Sequence, residues 1–291
     1  MKHPEAHTAL RSKILSKEFF IAPGLQDMIA AVLADRLNFD AVYASGYWMT
    51  ASAYGLPDAG IATYTQMLDR VTTLVGVCNA PVIADADTGY GGLINVLHTV
   101  RGYEAAGVSV IQLEDQEFPK KCGHTPHKRV VPIDVMVRRI RVAVEARTAP
   151  EKLLIAARTD ARQSEGLDGV LRRLEAYRNA GADILFPEAL ASEEEMNRTC
   201  LTFDLPIMAN MAHGGNTPIL GPRTLQQIGF AFAIYPSMTS LAAAAAMERC
   251  LKFLWNADVS GNPQQELYDF KKFCSLIGFE EVWDLERRFG H

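Results

Sequence analysis

A chain of 291 residues with 48% hydrophobic and 22% charged side chains has an ordinary globular composition, which excludes a disordered or low-complexity protein and supplies a sizeable core. The formal net charge of −5 gives no general attraction to nucleic-acid phosphates or anionic lipid, so the expected partners are small molecules or further subunits. Five cysteines, Cys78, Cys122, Cys200, Cys250 and Cys274, are odd in number and widely spaced, which fits reduced thiols rather than a disulfide framework or a zinc ribbon.

The N-terminal segment MKHPEAHTALRSKILSKEFF scatters charge and has no apolar core of leader length, and the longest apolar stretch, 240–247, is too short to span a bilayer. A cytoplasmic protein is expected. From there short β-branched runs recur, each followed by a helical pattern: FFIAPG, DAVYAS, APVIADAD, VSVIQLED, LLIAART, ADILFPE, PIMANM and FAFAIYP. Continuous apolar runs without strict alternation suit parallel strands covered by helices, and eight such units predict a closed (β/α)8 TIM-type barrel over an open doubly wound sheet. An internal echo supports equivalent units: YEAAGVSVIQLE (103–114) and YRNAGADILFPE (177–188) share a helix end, an Ala-Gly turn, a strand and a closing Glu. The barrel is expected to be a single domain over 1–291. It carries a C-terminal helical extension from about 240: an Ala-rich helix over 240–255 and one or two helices over 264–288. Helices beyond the eight a barrel needs point to oligomer contacts.

Candidate chemistry gathers where strands end. Asp85 and Asp87 in ADADTGYGG stand two apart, which on a strand aims both side chains to one side. Two adjacent carboxylates call for a cation, and Mg2+, which keeps several waters, needs only one or two direct protein ligands. Glu114 and Asp58 (in GLPDAG) could complete the shell through water. The simpler alternative is that Asp87 and Thr88 merely cap a turn. The following loop, DQEFPKKCGHTPHKRVVP, sets Cys122 among Lys120, Lys121, His124 and His127. A thiol beside cations is acidified, and a loop of this length can close over a site. Lys128 and Arg129 in it are expected to be solvated. Arg158 in AARTDAR is a natural carboxylate clamp, while Ser45, Glu188 and Asn210 at other strand ends could contact substrate or simply hold loops. No strand candidate ends in Lys, which disfavours a Schiff-base aldolase, and neither GxGxxG nor a P-loop is present.

Taken in order, ASGY (44–47), GLPD (55–58), ADADTGYG (84–91), QLEDQ (112–116), KKCGH (120–124), ARTDA (157–161), FPEA (186–189) and ANM (209–211) make the chain resemble the isocitrate lyase and phosphoenolpyruvate mutase superfamily from about residue 19 onward. The resemblance implies a barrel whose last helix is exchanged between subunits in a homotetramer, a dimer of helix-swapped dimers. It also implies Mg2+ or Mn2+ bound directly by Asp85, with Asp58, Asp87 and Glu114 holding its waters. By the same resemblance Ser45, Gly46 and Tyr47 would grip the pyruvate-like part of a small carboxylate substrate. Lys120 and Cys122 would lie on a gating loop with Cys122 as general acid, and Arg158 would bind a substrate carboxylate and tune its 2-hydroxyl. Tyr43, Gly123, His124, Glu188 and Asn210 would line the pocket.

Cys122 separates the branches, because the carbon–carbon lyases of the superfamily carry this thiol and its mutases lack it. The implied reaction is Mg2+-dependent cleavage of the C2–C3 bond of a 2-hydroxy di- or tricarboxylate to an oxoacid and a carboxylate. ASGY and ANMAHGGNTP resemble the 2,3-dimethylmalate lyase and 2-alkylmalate group; 2-methylisocitrate lyase is the alternative. Behind these stand oxaloacetate-type or phosphonopyruvate-type enzymes and a barrel that has lost catalysis.

Overall fold

Each of the eight expected runs carries a strand in the computed structural model, which describes residues 4–123, 125, 127–256 and 266–290. The strands are β1 (Phe20–Leu25), β2 (Val42–Ala44), β3 (Val82–Asp85), β4 (Val110–Glu114), β5 (Leu154–Thr159), β6 (Ile184–Pro187), β7 (Met208–Asn210) and β8 (Phe232–Tyr235). Neighbours pair in parallel in the order β6-β5-β4-β3-β2-β1-β8-β7, and a single parallel bridge, Leu185 to Ile207, brings β6 and β7 together to close the ring. Between strands run α2 (Met28–Asp35), α3 (Gly46–Tyr54), α4 (Tyr64–Val77), α5 (Leu93–Ala106), α6 (Ile133–Ala146), α7 (Arg162–Asn179), α8 (Glu193–Thr202) and α9 (Pro222–Ile228), after a leading α1 (Pro4–Leu15).

The uniformly apolar strands hide a period of two, because each face packs into a different core. Val82, Ala84, Ile111, Leu113, Ile155 and Ala157 face outward into the layer between strands and helices. Tyr43, Ile83, Val110, Leu154, Ala156, Ile184, Phe186, Met208, Phe232 and Ile234 fill the barrel interior, joined by Leu10 and Ile14 of α1, which stoppers the barrel's N-terminal end. His7 on the same helix is bonded through Nδ1 to Ser109 Oγ at 2.7 Å. Continuing the inward register toward the strands' carboxyl ends reaches Ser45, Asp85, Glu114, Arg158, Glu188 and Asn210. The same alternation that builds the core therefore delivers polar side chains to the barrel mouth.

The internal echo is structural as well. Gly107 and Gly181 adopt left-handed backbone at φ 92° and 100°, ending their helices, and Tyr103 and Tyr177 are fully buried one turn before them.

The chain divides into two units, Met1–Met238 and Thr239–His291. The second holds most of α10 (Met238–Asn256), which realises the Ala-rich helix, and α11 (Phe270–Leu276) and α12 (Phe279–Phe289), where one or two helices were expected. All five cysteines are free thiols. Among the described residues no helix is long and apolar enough to cross a membrane.

Phe20 and Phe232 stack across the β1–β8 pair with centroids 4.9 Å apart and planes 4° from parallel. Phe232→Ala removes a fully buried ring from the barrel interior and is expected to cost about 3–5 kcal/mol, read from the urea midpoint; a shift under 1 kcal/mol would show that the interior can collapse around the gap.

Candidate active site

The polar residues delivered by the inward register line a cavity of about 300 Å³ at the C-terminal end of the barrel, shared with Tyr43, Tyr47, Trp48, Asp58, Lys120, Cys122 and Gly123. A second cavity of about 500 Å³ lies at the other end, against α1 and the loops leading into β2 and β3. Its charges are satisfied locally: Lys13 pairs with Asp40 at 2.7 Å, and Asp35 accepts from the backbone and side-chain amides of Asn79. The smaller cavity holds the reactive groups.

One side of it is acidic. Strand β3 stops at Asp85, and Asp87 lies beyond it in a left-handed turn at φ 50°, so the two side chains do not share a strand face as the spacing predicted. The turn swings Asp87 back, and the carboxylates still converge: a Cβ added to Gly46 would lie 2.9 Å from Asp85 Oδ2 and 3.4 Å from Asp87 Oδ1. Asp85 Oδ1 accepts from the Asp87 backbone N–H at 3.0 Å and from Gln112 Nε2 at 3.2 Å, while Gln112 Oε1 accepts from the Tyr43 hydroxyl at 3.0 Å. Asp85 thus also holds the turn. Ser45 forms the N-cap position of α3 without a side-chain capping bond, leaving the helix's first amides beside this corner.

The chain brings its own cation to these acids. Lys120 places its ammonium 2.5 Å from Asp58 and 2.6 Å from Asp87, with 3% of its side chain exposed. Burial works against that charge, but Asp87, Glu114, Asp58 and Asp85 outweigh it and hold the ammonium well above its usual range. Burial pushes Asp87 up to about 7 despite the pull of Lys120, with Asp85 and Asp58 adding to the rise. Burial also lifts Glu114 well above the carboxylate range against Arg158 and Lys120, and Glu114 Oε1 has no hydrogen-bond partner.

Among the described residues no three His, Cys, Asp or Glu side chains form a ready ligand cluster. The donor set nevertheless suits a hard, water-retaining ion. It is all carboxylate oxygen, Asp85 presents a carboxylate to the cavity, and Glu114 holds a buried oxygen in need of a partner.

The opposite side is cationic. Arg158 directs Nε and Nη2 to Asp160 at 2.8 and 2.9 Å, approaches Glu188 at 3.3 Å and Glu114 at 3.4 Å, and lies over the Phe186 ring at 5.2 Å. Burial opposes its charge, and Asp160, Glu188 and Glu114 more than restore it. Asn210 Nδ2 donates to both Glu188 oxygens, at 3.0 and 3.2 Å.

Cys122 is half-buried in the cavity wall on the loop between β4 and α6, and Thr125 donates to its carbonyl through both N–H and hydroxyl. Gly123 packs so closely that an added Cβ would run into Arg158 Nη2 and approach Glu188 Cγ to 2.7 Å. His124 lies outside the described residues.

Lys128 corrects the sequence reading. It is not solvated: 3% of its side chain is exposed, and its ammonium donates to the Gly123 carbonyl and to Asp160 Oδ1 at 3.1 Å. Arg129 does stay in solvent, paired with Glu117.

Sequence reasoning also missed Asp160 and Asp115. Asp160 is held down to about 2 because Arg158 and Lys128 overcome the effect of burial. Asp115 accepts from the Thr159 and Tyr177 hydroxyls, both at 2.7 Å, and from the Asp160 N–H at 2.9 Å, with Arg173 at 3.3 Å. The available signal was position: Asp160 stands two after Arg158, and Asp115 directly follows Glu114.

Comparison with known proteins identifies the family. A family model described as phosphoenolpyruvate phosphomutase matches residues 10–254, which span all eight strands and the cavity. A 2,3-dimethylmalate lyase of Eubacterium barkeri is 42% identical over 281 residues, 97% of each chain. A 2-methylisocitrate lyase of Halalkalibacterium halodurans is 39% identical over 268 residues, 92% of this chain and 88% of that one. A solved structure of oxaloacetate acetylhydrolase in complex with the inhibitor 3,3-difluorooxalacetate superposes with a TM-score of 0.90 at 31% identity, covering 98% of each chain. With the barrel, its mouth and the Cys122 loop all inside the matched span, the chain belongs to the phosphoenolpyruvate phosphomutase family of the isocitrate lyase superfamily.

Proposed function

We propose that the chain is a Mg2+-dependent carbon–carbon lyase that cleaves the C2–C3 bond of a 2-alkylmalate such as 2,3-dimethylmalate, giving pyruvate or another oxoacid plus a carboxylate. The observation that carries the reading is that Cys122 lines the same cavity as Asp85, Ser45 and Arg158, so a thiol shares a space suited to a small acid with an acidic corner fit for a cation and a guanidinium fit for a carboxylate.

In this reading the N-terminal amides of α3, from Ser45 to Tyr47, and Arg158 fix the substrate carboxylates, with Glu188, Asn210 and Tyr43 shaping the pocket around them. The 2-hydroxyl gives its proton to a water at the acidic corner, which later restores it to the thiolate through solvent; the O–H electrons form the C2 carbonyl of the oxoacid and those of the C2–C3 bond pass onto C3. Cys122 Sγ delivers its proton to C3, completing the carboxylate product and leaving a thiolate to be reprotonated. Lys120 keeps Asp58 and Asp87 from repelling one another. The loop that bears Cys122, Gly123 and His124 excludes water from the carbanion. Asp85 would hold Mg2+ or Mn2+ directly, with Asp58, Asp87 and Glu114 acting through water; the ion supplies Lewis-acid stabilisation of the departing oxoacid.

A second reading is 2-methylisocitrate cleavage, favoured by the similar match to a lyase of that name. One panel separates the readings. With Mg2+ present, a lactate-dehydrogenase-coupled assay is expected to detect pyruvate from 2,3-dimethylmalate more rapidly than from 2-methylisocitrate, and EDTA is expected to abolish the signal. A direct assay for oxalate from oxaloacetate and phosphate from phosphonopyruvate runs alongside. Oxalate or phosphate as the sole product would sink the alkylmalate assignment, and no product from any acid would sink the lyase.

Cys122→Ser is expected to lower kcat at least about 100-fold, the scale of a lost general acid, with the thermal midpoint unchanged. Wild-type turnover in that variant would remove the thiol from the reaction.

The same reading makes 1–291 a single cytoplasmic barrel domain with its helical extension exchanged in a homotetramer, a dimer of helix-swapped dimers. Exposed Met247, Leu251, Leu254 and Trp255 on α10 and Val282, Trp283, Leu285 and Phe289 on α12 support it, because so much apolar surface is unusual on a monomer. Light scattering is expected to give about four times the 32.0 kDa chain mass; the mass of one chain would refute the assembly.

A further inference from the structure

The segment joining β4 to α6 is gathered at its base. Gln116 and Val130 form an antiparallel bridge, the Glu117 N–H donates to the Arg129 carbonyl at 2.9 Å, and the Val131 N–H donates to the Asp115 carbonyl at 2.8 Å. The Gln116 side chain clasps Lys121, accepting from its N–H at 3.0 Å and donating to its carbonyl at 2.8 Å. Beyond this neck the tip that bears Cys122 meets the barrel on two sides. Lys120 anchors it to Asp58 and Asp87, and Lys128 anchors it to Asp160.

The Lys128 contact has chemistry that the neck lacks. Its ammonium spans the Gly123 carbonyl, one residue from Cys122, and Asp160 Oδ1, the same oxygen that accepts from Arg158 Nη2 at 2.9 Å. When the tip is docked, one carboxylate oxygen is shared by two buried cations, which weakens its hold on Nη2 and leaves that nitrogen available to Glu188 or to a ligand carboxylate. If the tip lifts, Lys128 returns to water, while the Asp160 carboxylate remains compensated by both Arg158 contacts. The contact can therefore break and re-form without stranding a buried charge, which an ion pair of two otherwise unpartnered groups could not do.

We propose that Lys128 is a positioning residue: through Asp160 it latches the Cys122 loop down and, in the docked state, loosens the Asp160–Arg158 pair so that Arg158 can take a substrate carboxylate. This rests on the reading of the cavity as a lyase site, but its test does not require turnover.

The test is the rate of Cys122 alkylation by iodoacetamide, followed by peptide mass mapping in the intact protein with Cys200 as an internal reference. Rates are compared on the alkaline plateau of each protein's rate–pH curve, so that a changed thiol acidity does not count as a changed loop position. Lys128→Met keeps the aliphatic stem and deletes the charge. It is expected to accelerate Cys122 at least tenfold, leave Cys200 unchanged and lower kcat/KM at least tenfold by raising KM. Gly123→Ala attacks the same docking from the loop side, by forcing a methyl group against Arg158, and is expected to expose Cys122 likewise. Cys122 reacting within twofold of wild type in both variants overturns the latch, as does Cys200 accelerating in step with Cys122, which would mark general loosening. Accelerated alkylation in a protein that cleaves no acid in the panel would uphold the latch and leave the lyase reading to fall alone.

Discussion

The mouth of this barrel depends on mutual neutralisation of buried charge. Asp58, Asp87, Glu114, Asp160 and Glu188 crowd into a space from which water is largely removed, and Lys120, Lys128 and Arg158 are threaded between them. Isolated burial of any one of these groups would cost several kcal/mol. Removing Lys120 or Arg158 leaves several carboxylates uncompensated at once, so the cluster is organised around these two cations. The cluster also has two poles. The acidic corner near Asp85 suits a cation, and the guanidinium of Arg158 suits a carboxylate, so the two ends of the cavity attract opposite charges.

Much of the architecture was legible in the chain because it is governed by local rules repeated many times. Eight apolar runs at regular spacing, each with a helical partner, leave few alternatives to a parallel ring, and the doubled Ala-Gly turn marks two of its units outright. Strand tips were equally legible: in a barrel, whichever inward residue ends a run arrives at the mouth, so Asp85, Glu114, Arg158, Glu188 and Asn210 could be named before any fold was seen.

What escaped reading depends on contacts between residues remote in sequence. Lys128 sits in a run, HKRVV, whose composition is that of a solvated loop; only the approach of Asp160, 32 residues on, makes it a buried ammonium. Lys120 was expected near the site, but its role as the counter-ion of Asp58 and Asp87 was assigned to a metal alone. Asp87 was placed on a strand that ends two residues earlier, because a left-handed turn by a non-glycine residue is not foreseen from spacing. Asp115 looked like a neighbour of Glu114 and turned out to tie β4, β5 and α7 together through Thr159, Tyr177 and Arg173.

The ring closes unevenly. Seven of its seams are continuous ladders, whereas β6 and β7 share one backbone bridge, and directly above that bridge Asn210 reaches across to grip both oxygens of Glu188. Side chains there do what main-chain ladders do elsewhere. Any compound that enlists Glu188 or Asn210 consequently pulls on the hoop itself, so occupancy of the pocket and integrity of the cylinder are thermodynamically linked: a bound acid that reinforces this clasp tightens the whole wall, and one that competes for it slackens the wall at its thinnest stave.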